Sequence, residues 1–405
     1  MVETERFYSR LGKTFKPGVL ATVVLKAFDL AAQGKKLISL TGGSYDVPSM
    51  PVEEIKQIFA EAPREAWAEM LQYGNTTGTL YLRRELAKFM AEAGIEVFGE
   101  KEVIVTTGSQ EAIDLVTRIF LDPGDALMVG SPTYLAALMA FRQVNPDFVE
   151  IPIDKEGMNV DIMETKLKEL KAKGRSAKLL YVIPSYQNPT STKLPMERRK
   201  RILELAEEYD FLVMEDNPYG YISFEGPMPT PLSALDKTGR VMYTSTFSKI
   251  VSPGMRVGWL KGHKEFISKM AEAKTRISIM NDGLAQYAAA EMLARGHVAK
   301  QIPKITRVYR KKRDMMLETM ETSFPEEADW NDPKGGLFLW VKMPDHVNTT
   351  EMLREAVDKG VAYIPGSNFF TGPVHNYMRL NYSLPSEPDI VEGIEILGRL
   401  LKKKI

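Results

Sequence analysis

The amino-acid sequence predicts an α/β protein in which a mostly parallel sheet lies between helices and a smaller α+β domain completes the chain. First, short apolar runs alternate with amphipathic stretches between about residues 100 and 260. Second, these runs are apolar at nearly every position, which is typical of parallel strands buried on both faces. Third, the alternation stops after Asn281, where longer helical stretches and separate strands follow.

Composition excludes several classes of function. The chain has 405 residues, enough for two domains, and its 53 basic and 53 acidic side chains leave no net charge to attract nucleic acid or an anionic membrane. The absence of cysteine excludes disulfides, thiolate catalysis and cysteine-ligated metals, and the four histidines are not clustered, so we expect no metal site. No signal peptide and no membrane-spanning apolar segment are visible in the sequence, and we therefore expect a cytoplasmic protein.

The first predicted elements come before residue 100. Apolar residues at helical spacing predict a helix over residues 14–34. A short apolar run at 37–40 then leads into Gly42 and Gly43, which allow either a simple turn or a close approach of the backbone to a ligand. A further helix is predicted to begin near Thr79.

The remaining elements divide the chain. Predicted strands cover residues 102–105, 126–129, 179–183, 211–214, 241–243 and 257–260, and predicted helices cover residues 112–120, 134–141 and 198–208. Later come helices at 283–296 and 304–322 and strands at 335–341, 361–364 and 376–382. We therefore predict an N-terminal arm and helix (1–40) that is part of the small domain, a large domain (41–282) and a small C-terminal α+β domain (283–405).

Polar groups follow the predicted strands, at the edge where parallel sheets bind ligands. Ser109 and Gln110 lie in the turn that leads into the helix predicted at 112–120, where unpaired N–H groups of the helix start form either an anion site or an ordinary N-cap. Asn188, Asp216 and Lys249 follow three later strands. Complementary groups at several strand ends indicate one shared ligand.

Lys249 lies in a cluster of hydroxyls between two apolar strands. A lysine in a partly desolvated pocket loses part of its preference for the charged form, so its amine can attack a carbonyl. Thr246, Ser248 and Arg256 are suited to a dianionic phosphate. An aldehyde site and a phosphate site together suggest pyridoxal phosphate (PLP), although a lysine flanked by hydroxyls also occurs in ordinary loops.

Four motifs carry a resemblance to a known family. They are Ser-Tyr-Gln-Asn-Pro-Thr (185–190), Glu-Asp-Asn-Pro-Tyr (215–219), Ser-Thr-Phe-Ser-Lys with Pro-Gly-Met-Arg-Val-Gly (245–258) and Met-Arg-Leu-Asn-Tyr (378–382). Over nearly its whole length the chain resembles the fold type I PLP-dependent aminotransferases of class I/II, in the kynurenine/2-aminoadipate (LysN-like) branch. The resemblance implies a mostly parallel seven-stranded sheet and a homodimer with shared active sites.

The resemblance also implies roles for the candidate residues. Lys249 would form the Schiff base and carry a proton, Asp216 would pair with the pyridine nitrogen, and Arg379 would bind the substrate α-carboxylate. Asn188 and Tyr219 would hydrogen-bond the ring oxygen, with Asn188 also near the substrate. The remaining candidates are Tyr134 for stacking on the ring, Gly43 for the substrate, and Ser109, Gln110, Thr246, Ser248, Arg256 and the neighbouring subunit's Tyr73 for the phosphate.

One departure from the family bears on the substrate. Several acidic-substrate relatives carry an arginine on the early helix, in a segment resembling Ser-x-Ile-Arg, whereas residues 21–26 contain none and Lys26 is the nearest cation. The side-chain carboxylate of 2-aminoadipate therefore lacks its obvious partner, which favours aromatic or other apolar amino acids. The residues expected to line such a pocket are Tyr8, Leu20, Val23 and Phe369.

Three functions remain open from the sequence. The leading hypothesis is a ping-pong aminotransferase that moves the amino group of an amino acid, aromatic or of broad range, to a 2-oxo acid such as 2-oxoglutarate, with 2-aminoadipate as the alternative donor. A second is a PLP-dependent β-lyase acting on cysteine conjugates, since the same carbanion serves both reactions. A third, an aminotransferase-like transcription regulator, is disfavoured because the sequence shows no basic DNA-binding segment.

Overall fold

The computed structural model describes residues 4–9, 11–15, 34 and 36–405. The helix predicted over residues 14–34 therefore lies almost wholly outside the described residues, together with Leu20, Val23 and Lys26. Within the described ranges, no helix has the length and apolarity needed to cross a membrane.

Strands and helices alternate through most of the chain. The strands are β1 (Ile38–Ser39), β2 (Val103–Thr106), β3 (Ala126–Ser131), β4 (Asp147–Asp154), β5 (Gly157–Met158), β6 (Ala177–Val182), β7 (Leu212–Asp216), β8 (Val241–Thr246), β9 (Gly258–Lys261), β10 (Asp329–Trp330), β11 (Phe338–Lys342), β12 (Val361–Ala362), β13 (Ile364–Pro365) and β14 (Tyr377–Asn381). The helices are α1 (Val52–Ala60), α2 (Arg64–Leu71), α3 (Leu80–Glu92), α4 (Ser109–Phe120), α5 (Leu135–Phe141), α6 (Val160–Ala172), α7 (Met196–Glu208), α8 (Leu232–Leu235), α9 (Lys264–Thr275), α10 (Gly283–Ala294), α11 (His297–Ser323), α12 (Thr349–Asp358) and α13 (Glu387–Leu401).

The central sheet has eight strands in the order β2-β9-β8-β7-β6-β3-β4-β5. Strands β4, β3, β6, β7 and β8 pair in parallel, while β9 runs antiparallel to both of its neighbours. The predicted mostly parallel sheet between helices is thus confirmed. The implied count of seven strands misses β5, a two-residue strand that folds back on the end of β4 and is too short to leave an apolar run in the sequence.

The sheet separates two hydrophobic cores, because successive side chains of a strand point to opposite faces. On β6, Leu180 and Val182 pack with α6 and α7 in one core, whereas Leu179 and Tyr181 belong to the larger core on the other face. All four side chains are buried. This arrangement explains why the parallel strands are apolar at consecutive positions.

A second, antiparallel sheet is built from the C-terminal part, in the order β10-β11-β14-β13. The short strand β1 pairs in parallel with β12, and Asn381 donates its backbone N–H to the carbonyl of Leu40 at 2.9 Å. The segment just before residue 41 thus joins the C-terminal elements, as the predicted domain division requires. The division itself remains a prediction.

Two elements differ from the sequence prediction near the ligand-binding edge. Helix α4 begins at Ser109 rather than at 112, so Ser109 and Gln110 belong to its first turn. Strand β4 was not predicted, because it is an edge-side strand with only Ile151 fully buried and with acidic residues between its apolar ones.

Candidate active site

The carboxyl ends of β2, β3, β6, β7 and β8 open into a cavity of about 260 Å³ that β11 and β14 close from the other side. Its lining includes every residue predicted to act in catalysis, to hold the cofactor or to bind the substrate α-carboxylate, except Tyr73. The predicted residues in the lining are Gly43, Ser109, Gln110, Tyr134, Asn188, Asp216, Tyr219, Thr246, Ser248, Lys249, Arg256 and Arg379. The fold therefore brings together groups from positions that are more than 300 residues apart in the sequence.

Lys249 ends a 3₁₀ turn that follows β8 directly. The Thr246 side chain begins this turn by accepting the backbone N–H of Ser248 at 3.1 Å. The Lys249 amine donates to the carbonyl of Gly43 at 2.6 Å. Burial, reinforced by the nearby cations Arg379 and Arg256, lowers the pKa of Lys249 to about 8. A substantial fraction of neutral, nucleophilic amine is therefore present near neutral pH.

Asp216 is the last residue of β7 and is almost completely buried. Its Oδ2 accepts the hydroxyl of Tyr181 at 2.7 Å, while its Oδ1 is buried and finds no hydrogen-bond partner in the part of the chain that the structure describes. Burial raises the pKa of Asp216 to about 6, against the lowering effect of the Tyr181 hydrogen bond and the Lys249 charge. A buried carboxylate oxygen without a donor is costly, so this atom fits a ligand that brings an N–H group.

Asn188 links the aromatic side of the cavity to its cationic side. Its amide nitrogen donates to the Tyr219 hydroxyl at 3.2 Å, and its Oδ1 accepts from Arg379 at 2.8 Å. Tyr134, just before α5, also lines the cavity, and burial raises its pKa to about 12. Burial also raises the pKa of Tyr219 well above its usual range, so both phenols are neutral hydrogen-bonding groups.

Arg379 projects from β14 and is 3 % exposed. One guanidinium nitrogen donates to Asn188 and the other to the carbonyl of Thr41, while Nε is buried and has no partner within residues 4–9, 11–15, 34 and 36–405. Its guanidinium carbon lies 4.1 Å from the ring centre of Phe338 and 5.0 Å from that of Phe369. Burial lowers the pKa of Arg379 to about 10, so the side chain remains a cation at neutral pH and is suited to a carboxylate.

The opposite end of the cavity is suited to an anion. Helix α4 begins there after Gly108, which has a φ of 72°, and presents its unpaired backbone N–H groups. Arg256 donates to the Ser248 hydroxyl at 3.3 Å and to the Thr107 carbonyl at 3.0 Å. The Gln110 amide nitrogen instead donates to the Ala136 carbonyl at 3.0 Å, and the buried amide oxygen of Gln110 meets no partner in the described ranges.

The comparison with known families gives the class of the protein. The protein-family model described as aminotransferase class I and II matches residues 35–397. The chain belongs to this family. It is a PLP-dependent aminotransferase, and its reaction is the transamination of amino acids.

Individual relatives of this aminotransferase cover nearly its whole length. It is 43% identical to aromatic-amino-acid aminotransferase 1 of Thermococcus litoralis, over 91% of this chain and 89% of that protein. The solved kynurenine aminotransferase of Pyrococcus horikoshii, in complex with PMP, is 40% identical with a TM-score of 0.94, covering 100% of this chain and 98% of that one. LysN, the α-aminoadipate aminotransferase of Thermus thermophilus, is 31% identical with a TM-score of 0.90, and the match covers 100% of this chain and 99% of that one.

The cavity of this aminotransferase fits PLP in its chemistry. The cofactor combines a pyridine nitrogen, a phenolic oxygen, an aldehyde and a phosphate. The unpartnered Oδ1 of Asp216, the Asn188–Tyr219 pair, the Lys249 amine and the start of α4 offer one complementary group to each.

Some predicted residues lie away from the cavity. Tyr73 is 80 % exposed and is not part of the lining. Tyr8 is also exposed and does not line the cavity, so the aromatic pocket predicted around it is not formed by the described residues of this chain. Phe369 is fully buried beneath Arg379, where it packs edge-on against Trp340 with ring centres 5.4 Å apart.

Sequence reasoning missed two residues of the site. Tyr181 lies inside an apolar strand and was taken for core, yet its hydroxyl binds Asp216. A buried tyrosine needs a hydrogen-bond partner, and this requirement was the available signal. Phe338 forms the face on which Arg379 rests, but nothing in the sequence separates it from its apolar neighbours on β11.

Proposed function

We propose that this aminotransferase takes the amino group from aromatic, kynurenine-like or a broad range of amino acids and passes it to a 2-oxo acid such as 2-oxoglutarate, in a ping-pong reaction. The observation that carries the proposal is the convergence on one cavity, beside Lys249, of two buried atoms that have no hydrogen-bond partner among the described residues, Asp216 Oδ1 and Arg379 Nε. Asp216 Oδ1 needs an N–H donor and Arg379 Nε needs an anion. Lys249 supplies an amine in the same cavity.

Each residue of the cavity has a proposed role in holding the cofactor. Asp216 would hold the ring nitrogen, and Asn188 and Tyr219 would hold the ring oxygen. Tyr134 would lie against the ring face. The phosphate would be held at the start of α4 and by the groups around it, which are Ser109, Gln110, Thr246, Ser248 and Arg256.

The chain's own residues then handle the substrate. When bound, PLP supplies an electron sink for a bond broken at the substrate α-carbon. The Lys249 amine would take the proton from the substrate α-carbon and deliver it to the carbon that carried the cofactor's aldehyde oxygen, because its lowered pKa keeps it neutral for part of the time. The ionised Asp216 carboxylate would favour a protonated pyridine nitrogen and so maintain the sink.

Arg379 would orient the substrate by a bidentate contact with the α-carboxylate. Its Nε has no partner among the residues that the structure describes, and its contact with Asn188 can be shared with the incoming carboxylate. Gly43, which lines the same part of the cavity, would contact the substrate through its backbone. A fixed α-carboxylate would hold the α-carbon near Lys249. Holding the reacting groups in this geometry would itself raise the rate.

The substrate preference rests on two supports. Two relatives, at 43% and 40% identity, are an aromatic-amino-acid aminotransferase and a kynurenine aminotransferase, whereas the α-aminoadipate enzyme is 31% identical. The segment 21–26 also offers no arginine for a side-chain carboxylate. 2-Aminoadipate therefore remains the alternative donor, and β-elimination of cysteine conjugates the alternative reaction.

We also propose a homodimer. Tyr73 is exposed and lies outside its own subunit's cavity, as expected of a residue that completes the phosphate site of a neighbour. This arrangement would make the complete site a property of two subunits.

Absorbance spectroscopy with single amino acids tests the proposed function. The purified yellow holoenzyme is mixed with aromatic, acidic or aliphatic amino acids without any 2-oxo acid. We expect aromatic donors to convert the visible band to that of the pyridoxamine form in one stoichiometric turnover. Persistence of the band while pyruvate and ammonia accumulate from a cysteine conjugate would replace transamination by β-elimination. Lys249→Ala is the control, and full activity of that variant would show that Lys249 is not part of the active site.

A further inference from the structure

A buried ion pair lies directly behind the active site. The Lys312 amine on α11 is 2.6 Å from the Asp46 carboxylate, and the two side chains are only 6% and 7% exposed. The second carboxylate oxygen of Asp46 accepts the Ser49 hydroxyl, and its backbone N–H donates to the Tyr309 hydroxyl at 3.1 Å. Both charges are therefore fully engaged by hydrogen bonds.

The pair is attached to the backbone that forms one wall of the cavity. Lys312 also donates to the carbonyl of Ser383 at 3.1 Å, and the Ser383 hydroxyl donates to the carbonyl of Ser44 at 2.6 Å. Tyr45 is held as well, because the Gln301 amide on α11 donates to its hydroxyl at 2.6 Å. Residues 44–46 are thus fixed to α11 by three consecutive attachments.

The same backbone segment carries the acceptors of two active-site cations. The carbonyl of Gly43 accepts from the Lys249 amine, and the carbonyl of Thr41 accepts from Arg379. Both acceptors are main-chain carbonyl groups, so their positions are those of the backbone itself. A shift of the segment relative to α11 would therefore move the acceptors of both groups together.

Stability alone does not account for such a pair. Burying two charges costs several kcal/mol, and apolar replacements of similar volume are often as stable or more so. A buried ion pair is directional, however, and can fix one arrangement of the backbone where an apolar contact would permit several.

We propose that Asp46 and Lys312 are positioning residues that set where the Thr41 and Gly43 carbonyls lie, and through them the Lys249 amine and the Arg379 guanidinium. The inference rests on the roles proposed above for Lys249 and Arg379. Neither Asp46 nor Lys312 lines the cavity, so the pair acts through the backbone that it holds, chiefly the segment between residues 41 and 46.

The test removes both charges at once. Lys312→Met alone leaves a buried carboxylate without its partner and risks misfolding, so the central variant is the double substitution Asp46→Asn with Lys312→Met. The matched control is Asp154→Asn with Arg198→Met, which removes a bidentate pair with contacts of 2.7 and 2.9 Å away from the cavity. Lys312→Arg keeps the charge and serves as the conservative variant.

Two readouts are used besides the melting temperature. The first is the rate of reductive methylation of Lys249 in the cofactor-free protein, followed by mass spectrometry of the peptide. The second is the separation of kcat from KM for the amino donor in the holoenzyme. The methylation rate depends on the amine's surroundings and does not require activity.

We expect the central variant to fold with a melting temperature close to that of the wild type. Its KM should rise about tenfold or more, and its Lys249 methylation rate should change severalfold, because displacements near 1 Å can cost about a hundredfold in rate. The control should leave both readouts unchanged, and Lys312→Arg should restore most of the wild-type KM. The proposal is overturned if the central variant matches the wild type in both readouts, or if its changes equal those of the control. In either case, if the Lys249→Ala variant is inactive, the assignment of Lys249 to the active site still holds.

Discussion

At the scale of single residues, the state of Asp216 depends on a tyrosine that lies outside the cavity lining. Burial favours the protonated carboxyl, whereas the Tyr181 hydroxyl favours the carboxylate. The proposed pairing with the pyridine nitrogen needs the carboxylate. Tyr181 therefore widens the pH range in which the site can take up the cofactor.

We expect Tyr181→Phe to move the acidic limit of cofactor uptake to higher pH. A hydrogen bond to a charged group contributes about 1.5 to 3 kcal/mol, which corresponds to about one to two pH units. Loss of this donor raises the pKa of Asp216 further above about 6, so the carboxylate is lost on acidification at a higher pH than in the wild type. The measurement is the rate at which the cofactor-free protein regains its visible band between about pH 5 and 9, a range that brackets the shifted pKa.

Tyr243→Phe is the matched control for this prediction. Tyr243 is equally buried on the neighbouring strand β8, but its hydroxyl meets the Asn217 side chain at 3.4 Å instead of Asp216. Its pH profile should coincide with that of the wild type. Coinciding profiles for both variants would mean that Tyr181 does not control the ionisation of Asp216.

At the scale of elements, the anion-binding end of the cavity depends on how closely β9 approaches the start of α4. A Cβ atom at Gly258 would lie 2.6 Å from the carbonyl carbon of Gly108 and 2.8 Å from the backbone nitrogen of Ser109. Real Cβ contacts are longer, so any side chain at 258 must push the helix start away from the strand. Glycine at this position is required by the contact between two elements.

We expect Gly258→Ala to weaken cofactor binding about tenfold or more and to destabilise the fold by about 1–3 kcal/mol. The affinity falls because the first N–H groups of α4 are displaced from the phosphate position, and the stability falls because the added methyl overpacks the core. Equilibrium dialysis of PLP and thermal unfolding of the cofactor-free protein measure the two effects.

Gly262→Ala provides the comparison at the other end of the same strand. There the nearest atom to an added Cβ is the Cγ of Met242 at 3.4 Å, an ordinary contact. This variant should bind PLP like the wild type. Equal binding by the Gly258 and Gly262 variants would show that the approach of β9 to α4 is not needed for the phosphate site.

The sequence predicted those elements whose burial leaves a clear pattern of apolar residues. Strands β6, β7 and β8 are buried on both faces, and their continuous apolar runs are visible in the sequence. Strand β4 was missed because its partly exposed side chains are mixed in character. The run predicted as one strand at 361–364 is divided, because Val361–Ala362 pairs with β1 whereas Ile364–Pro365 pairs with β14.

The sequence also indicated candidate site residues only where a local motif marks them. Motifs at strand ends, such as those that contain Lys249 and Asp216, indicated residues that the fold places in one cavity, and the roles of these residues stay predictions. Contacts across long sequence separations were not found. The Lys249 contact with Gly43 and the pairing of Lys312 with Asp46 depend on tertiary packing, which leaves no local pattern.

At the scale of the whole molecule, an exposed apolar surface lies beside Tyr73. Leu71 is 73 % exposed and Tyr73 80 %, and the loop after α9 adds Ile277 and Ile279 at 50 % each. The two loops are in contact, since the Gly74 backbone N–H lies 2.9 Å from the sulfur of Met280. Large apolar side chains grouped on a surface are typical of protein–protein interfaces. This surface supports the proposed homodimer.

Mixed dimers test whether two subunits share each site. Lys249→Ala should abolish activity, and Tyr73→Phe should weaken cofactor binding about tenfold or more, because a hydrogen bond to a charged group is lost. In a mixed dimer, the Tyr73→Phe subunit keeps its Lys249 and receives an intact tyrosine from its partner, so one native site is rebuilt. We expect such dimers, isolated with two different affinity tags and assayed at limiting PLP, to show about half of the wild-type activity, since one of two symmetric sites works. The other site lacks both groups and contributes nothing. If Tyr73 instead serves its own subunit, the mixed dimer contains no native site, and its activity at limiting PLP will stay at about half that of the Tyr73→Phe homodimer.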